Sequence, residues 1–191
     1  MTSDLVCYAV LLRMDAETEA WLAKHTTDLH RLIGGSEQAA PNPHITAIPT
    51  DAVPGTPCLQ RLRTLAETEP TVAIHFSYIG IFPNAGVVYV GPTVTHPLLQ
   101  LHQRIAEAAR PSAATPWIEF YDVDAWVPHC TLATDLRETH LLEALGAVTQ
   151  QLLLPRSALV DSIEYVCVKR TGLQVLERLP LRGTRIASLP G

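Results

Sequence analysis

The sequence predicts an α+β fold made by duplication, with two antiparallel β-sheets and a layer of helices outside each. Three observations predict it. Segments with helical spacing alternate with short apolar strands, two segments carry hairpin signals, and the order of elements in the first half recurs in the second. The approximate halves are residues 1–92 and 93–191, read together as one domain.

Asp4 to Leu12 alternates and runs apolar, as a strand in a buried sheet does. Asp15 to Gly35 has helical spacing through Trp21, Leu22, Leu29, Leu32 and Ile33, with acidic residues in its first turn and Gly34-Gly35 at its end. A polar stretch, Ser36 to Pro43, leads into a short strand, His44 to Ile48. Gly55 to Glu69 is helical, with Leu59, Leu62 and Leu65 on one face. Thr71 to Phe82 and Val87 to Val90 form a hairpin around Pro83-Asn84-Ala85-Gly86.

The second half repeats this order: a helix over Pro97 to Arg110, a short strand over Val127 to Leu132, and a helix over Asp135 to Leu152 with Asp135 as N-cap. Ser157 to Lys169 and Leu173 to Leu181 then form a hairpin turning at Arg170-Thr171-Gly172. His44 lies about 27 residues before the first hairpin and His129 about 28 before the second, a period too long for a solenoid.

The bulk chemistry excludes several classes. A formal charge of -5 and no Lys/Arg cluster give a field that repels a polyanion, so neither DNA nor long RNA is the expected partner. Four dispersed cysteines without a C-x-x-C read as reduced thiols, and the N-terminus lacks the basic region of a signal peptide. No apolar run reaches the length of a membrane span. A cytoplasmic monomer is the expectation.

Both short strands carry P-H-x-T: Pro43-His44-Ile45-Thr46 and Pro128-His129-Cys130-Thr131. Residues two apart in a strand share a face, so each imidazole projects with its threonine hydroxyl while Ile45 and Cys130 point away. In a chain with eight histidines a lone H-x-T carries no weight. Two copies, each after proline and each at the same place in the repeated order, do. An imidazole titrates near pH 6.5, so of two facing histidines one can accept a proton while the other donates one. Set on opposite sides of a phosphorus they suit in-line displacement, with the threonine hydroxyls on the non-bridging oxygens. This chemistry uses no metal and no cofactor.

The PHIT and PHCT segments resemble the signature of the 2H phosphoesterase superfamily, which includes 2'-5' RNA ligases and RNA 2',3'-cyclic phosphodiesterases. GIFPNAGVVYVGP with the following HPLLQLHQRIAEA is similar to the family's middle region, and WVPHCTLA to its second motif. The resemblance covers most of the chain. It implies a bilobal, pseudo-two-fold fold whose two sheets face a central cleft, with His44 and His129 as the catalytic pair and Thr46 and Thr131 as phosphate ligands. The implied partner is a nucleotide or RNA end carrying a cyclic phosphate or a 2'-5' linkage.

Other residues weigh less. His75 reads as an ordinary strand histidine, and His25, His30, His102 and His140 as solvent-facing helix residues without zinc spacing. Asp122 and Asp124 precede the second motif and read as a polar loop, and Arg110 to Trp117 as a lid or a plain connection. Tyr8, Phe82, Tyr89 and Trp126 lie near the expected cleft, with core packing the simpler role. The leading expectation is hydrolysis of a 2',3'-cyclic phosphate to a 2'-phosphate. Formation or cleavage of a 2'-5' linkage, a non-catalytic nucleotide- or RNA-end-binding module, and a metal-dependent phosphodiesterase using Asp122 or Asp124 are the alternatives.

Overall fold

The computed structural model describes residues 5–33 and 43–183. In chain order it contains β1 (Leu5–Met14), α1 (Ala16–Leu32), β2 (Ile45–Thr50), α2 (Pro57–Thr68), β3 (Val72–Phe82), β4 (Val87–Pro92), α3 (His96–Ala109), β5 (Cys130–Ala133), α4 (Glu138–Gln151), β6 (Arg156–Lys169) and β7 (Gly172–Pro180). The α+β class and the alternation of elements follow the expectation. The Gly34-Gly35 helix end and the polar stretch from Ser36 lie outside the described residues.

The strand order is β2-β1-β6-β3-β4-β5, with β7 also paired to β6, and every pairing between these strands is antiparallel. Where the repeat suggested two sheets, β6 joins all the strands into one. It is buried continuously from Ser162 to Cys167, so both of its faces are covered there. β1 runs along one edge, from Val160 to Lys169; on the other, β3 takes Arg156–Phe76 through Val160–Val72 and β7 takes Ser162 onward. β2 and β5 are the two ends of the strand order, yet they touch each other. The sheet therefore curls until its ends meet.

The helices pack as two pairs. α2 and α3 contact each other and lie against β2, β3, β6 and β7, while α1 and α4 contact each other and lie against β1, β3, β4 and β5. Leu22, Leu29, Leu62, Leu98, Leu101 and Ile105 carry these faces into a core with Val10, Leu12, Ile74, Phe76 and Ile163, all at most 1% exposed. Asp15 starts α1 as an N-cap: its Oδ1 accepts from the Thr18 N–H at 2.9 Å and its Oδ2 from the Leu159 N–H of β6 at 2.8 Å.

Asp135 is not the N-cap of the last helix. Its φ is +58°, a left-handed turn, and α4 begins after Arg137. The first hairpin turns through Pro83–Ala85 and closes on Gly86, whose φ of +61° suits glycine. Among the described residues no helix is long and apolar enough to cross a membrane.

Candidate active site

The two P-H-x-T segments have matching environments. Pro43, Ile45 and Ala47 are buried, as are Pro128, Cys130 and Leu132, whereas His44, Thr46, His129 and Thr131 are half-buried. The alternation read from the sequence thus exists on both strands. It also breaks at the same place. In the β1/β2 ladder Leu11 partners Thr46 and Val10 partners Ile48, leaving Ala47 as an extra residue. In the β4/β5 ladder Tyr89 partners Thr131 and Val88 partners Ala133, leaving Leu132 extra. Each threonine is followed by a bulge that drives two consecutive residues into the core, Ala47-Ile48 and Leu132-Ala133. Strict alternation would have turned Ile48 and Ala133 to the face of the threonines.

The motifs adjoin. The backbone of His44 is hydrogen-bonded at the Cys130 thiol, whose pKa burial pushes up to about 12. The indole Nε1–H of Trp126 donates to the Thr46 carbonyl at 3.0 Å. The Tyr121 phenol interacts with the Thr46 side chain, a bond that partly offsets the rise burial gives its pKa. Residues 121–126, between α3 and the second motif, therefore hold the first motif in place.

His129 sits in a different setting. Its Nδ1 lies 2.8 Å from the Val127 carbonyl, and since a carbonyl only accepts, Nδ1 carries the proton and Nε2 is left as the acceptor of the neutral ring. Phe82 meets it edge-on at 4.9 Å, and Tyr89 lies tilted to it by 57° at 5.2 Å. Burial lowers its pKa from the ordinary 6.5, and the Val127 bond offsets only part of that.

Of the aromatic residues placed near the cleft by sequence, Phe82, Tyr89 and Trp126 reach the motifs, whereas Tyr8 stacks on Tyr165 at 5.7 Å. Tyr121 was not singled out, because a lone tyrosine in a polar segment carries no periodic signal.

His102 overturns one expectation. It is 1% exposed rather than solvent-facing, and its ring stacks on Trp126 at 4.1 Å and 12°. The helical period puts it on the buried face with Leu98, Leu101 and Ile105. Among the described residues neither ring nitrogen has a partner in hydrogen-bond geometry, and burial lowers its pKa against the pull of the Tyr121 and Ala47 backbones. His25 and His30 are half-buried rather than solvent-facing, and His140 is exposed. His75 is exposed on β3, with Nδ1 3.1 Å from the Ser157 hydroxyl. Asp122 and Asp124 are exposed, and the Asp122 carbonyl closes the turn to Ala125 and Trp126. The four cysteines are buried free thiols.

A family model described as 2'-5' RNA ligase superfamily matches residues 17–171. No curated protein sequence matches the chain. Among solved structures, TT0787 of Thermus thermophilus aligns at 20% identity over 94% of this chain and 100% of its own, with a TM-score of 0.61. LigT of E. coli complexed with 3'-AMP aligns at 18% identity over 94% and 99%, with a TM-score of 0.58. LigT complexed with phosphate aligns at 17% identity over the same shares, also with a TM-score of 0.58. At such identities the structural likeness speaks for the fold, and the family match for the lineage. With the two P-H-x-T strands lying inside a match that spans most of its length, the chain belongs to the 2'-5' RNA ligase superfamily, the 2H phosphoesterases.

Proposed function

We propose that this protein hydrolyses a 2',3'-cyclic phosphate, on a small nucleotide or an RNA end, to a 2'-phosphate by metal-independent acid-base catalysis. The observation that carries the reading is the matched pair of motif strands, each with a half-exposed His and Thr on one face, each followed by the same bulge, and in contact with one another.

His129 is the base. Neutral, with Nδ1–H committed to Val127, it offers Nε2 to a water. As the water oxygen forms its bond to phosphorus, its proton passes to Nε2. His44, as imidazolium, protonates O3' as the P–O3' bond breaks, leaving the phosphate on O2'. Exchange with solvent resets both rings. Thr46 and Thr131 donate to the non-bridging oxygens, which gain charge in the transition state. LigT, complexed with 3'-AMP and with phosphate in its structures, supports a substrate of nucleotide size. With a 5'-hydroxyl in place of the water, the same proton transfers form a P–O5' bond as P–O3' breaks and O3' takes the proton, leaving the 2'-5' linkage that gives the superfamily its name.

Incubation of the protein with 2',3'-cyclic nucleotides in EDTA, with products resolved as 2'- or 3'-monophosphates, tests this. Accumulation of the 2'-monophosphate, lost in His44→Ala and in His129→Ala, is expected. Turnover that is undiminished in either variant, or absent from the wild type with every cyclic or 2'-5'-linked nucleotide, overturns it.

A further inference from the structure

The strongest structure around His129 comes from the β3/β4 hairpin, which the acid-base scheme does not use. Consecutive same-face pairs in its register are Tyr78 with Gly91 and Gly80 with Tyr89. Each tyrosine thus faces a glycine. A Cβ built on Gly80 would lie 2.2 Å from Cζ of Tyr89, and one on Gly91 2.2 Å from Cζ of Tyr78. The two rings occupy the space that side chains at positions 80 and 91 would fill, each lying across the other strand's backbone.

Tyr89 is consequently pinned. It is 7% exposed, with Gly80 beneath it, Phe82 stacked on it at 4.5 Å and 28°, and Tyr78 edge-on at 6.3 Å. Its ring meets His129 at 5.2 Å, and its backbone partners Thr131. A tyrosine has two side-chain torsions, and with that surface occupied neither is free to turn.

We propose that Tyr89, seated on Gly80 and braced by Phe82, is a positioning residue that fixes the plane of the His129 imidazole against the Val127 carbonyl, so that Nε2 points to the substrate. This rests on the assignment of His129 as base, and it gives Gly80 and Tyr89 roles no motif residue has. The equivalent ladder partner of Thr46 is Leu11, an aliphatic residue. The rings on two sides also cover part of the His129 imidazole, in keeping with the lowering of its pKa by burial.

The test reads His129 directly. Its ring signals are titrated by NMR in the wild type, Tyr89→Leu, Tyr89→Phe and Gly80→Ala, each first checked for native circular dichroism. The midpoint is expected to rise toward 6.5 in Tyr89→Leu and Gly80→Ala and to hold in Tyr89→Phe. With cyclic nucleotide, kcat is expected to fall about tenfold or more in those two variants with KM little changed. Should Gly80→Ala fail to fold, Tyr89→Leu, which adds no bulk, carries the test. In the Tyr89→Leu background Gly80→Ala is expected to have no further effect. An unmoved His129 midpoint in folded Tyr89→Leu, or a Tyr89→Phe as impaired as Tyr89→Leu, overturns the proposal. The titration needs no substrate, so a shifted midpoint in a protein that hydrolyses no cyclic phosphate keeps the brace and removes the proposed reaction instead.

Discussion

The indole of Trp126 donates to the main-chain carbonyl of Thr46 at 3.0 Å, so the approach to the second histidine is tied to the strand of the first. Trp126→Phe keeps an aromatic ring on His102 and removes only this bond. Loss of this part-buried carbonyl's partner is expected to destabilise by about 1 kcal/mol, and kcat to fall with it because Thr46 is then tied through its side chain to Tyr121 but no longer through its backbone to Trp126. Urea unfolding followed with steady-state kinetics checks both. An unchanged midpoint would show that the tie contributes nothing.

Arg13 and Glu164 set up a contrast between buried and exposed ion pairs. Arg13 is 3% exposed, its Nε and Nη2 each 2.8 Å from a Glu19 oxygen and its Nη1 3.4 Å from Glu164, itself 4% exposed. Burial pushes the Glu164 carboxyl up while Arg13 and Arg178 pull it down. Arg13→Met leaves the buried Glu164 carboxylate to its longer pair with Arg178, at 3.9 Å, and is expected to cost up to about 3 kcal/mol. Lys24, paired with Asp28 one helical turn on at 2.8 Å, is solvent-exposed, and Lys24→Ala is expected to leave the unfolding midpoint where it was.

Stability is expected to fall on mild acidification. Burial lowers the pKa of His25, His102 and His129 from 6.5. The unfolded chain therefore takes up protons below 6.5 that the folded chain refuses, so the contribution is whole above that pH and is lost as pH falls. The urea midpoint should hold between pH of about 8 and 7 and drop by about pH 5.5, with the drop shallower in His102→Phe. A midpoint that does not change across this range would count against buried neutral imidazoles.

The acid limb of kcat/KM follows from the same lowering at His129. If Nε2 must be unprotonated to accept from water, activity rises with pH through a midpoint below 6.5. A profile whose acid limb is centred above 6.5 would remove His129 from the role of base.

Much of this was legible in the sequence because it depends on local period. Among the described residues the four α-helices and seven strands fall where 3.6- and 2-residue spacings place them, and the half-buried faces of both P-H-x-T strands follow from alternation alone. The bulges after Thr46 and Thr131 were not legible, since an extra residue is defined only by the neighbouring strand's register. His102 was misread although its signal was present: it shares the spacing of Leu98, Leu101 and Ile105, and a polar identity masked a core position. Asp135 was misread because an N-cap and a left-handed turn favour the same residue type. The central place of β6 was not legible, since Ser162 and Glu164 interrupt its apolar residues and which strands share its edges is a long-range matter.

The curl of the sheet has a mechanical consequence. β2 and β5 are separated by five ladders along the strand order and still touch, so the opening between them reports how tightly the entire ribbon is rolled. Widening it for a bulkier substrate is not the swing of one hinge, because β6 runs unbroken through the middle. The slack must come from small changes in twist summed over every ladder, which makes residues far from either histidine, wherever they alter strand coiling, determinants of what the site admits.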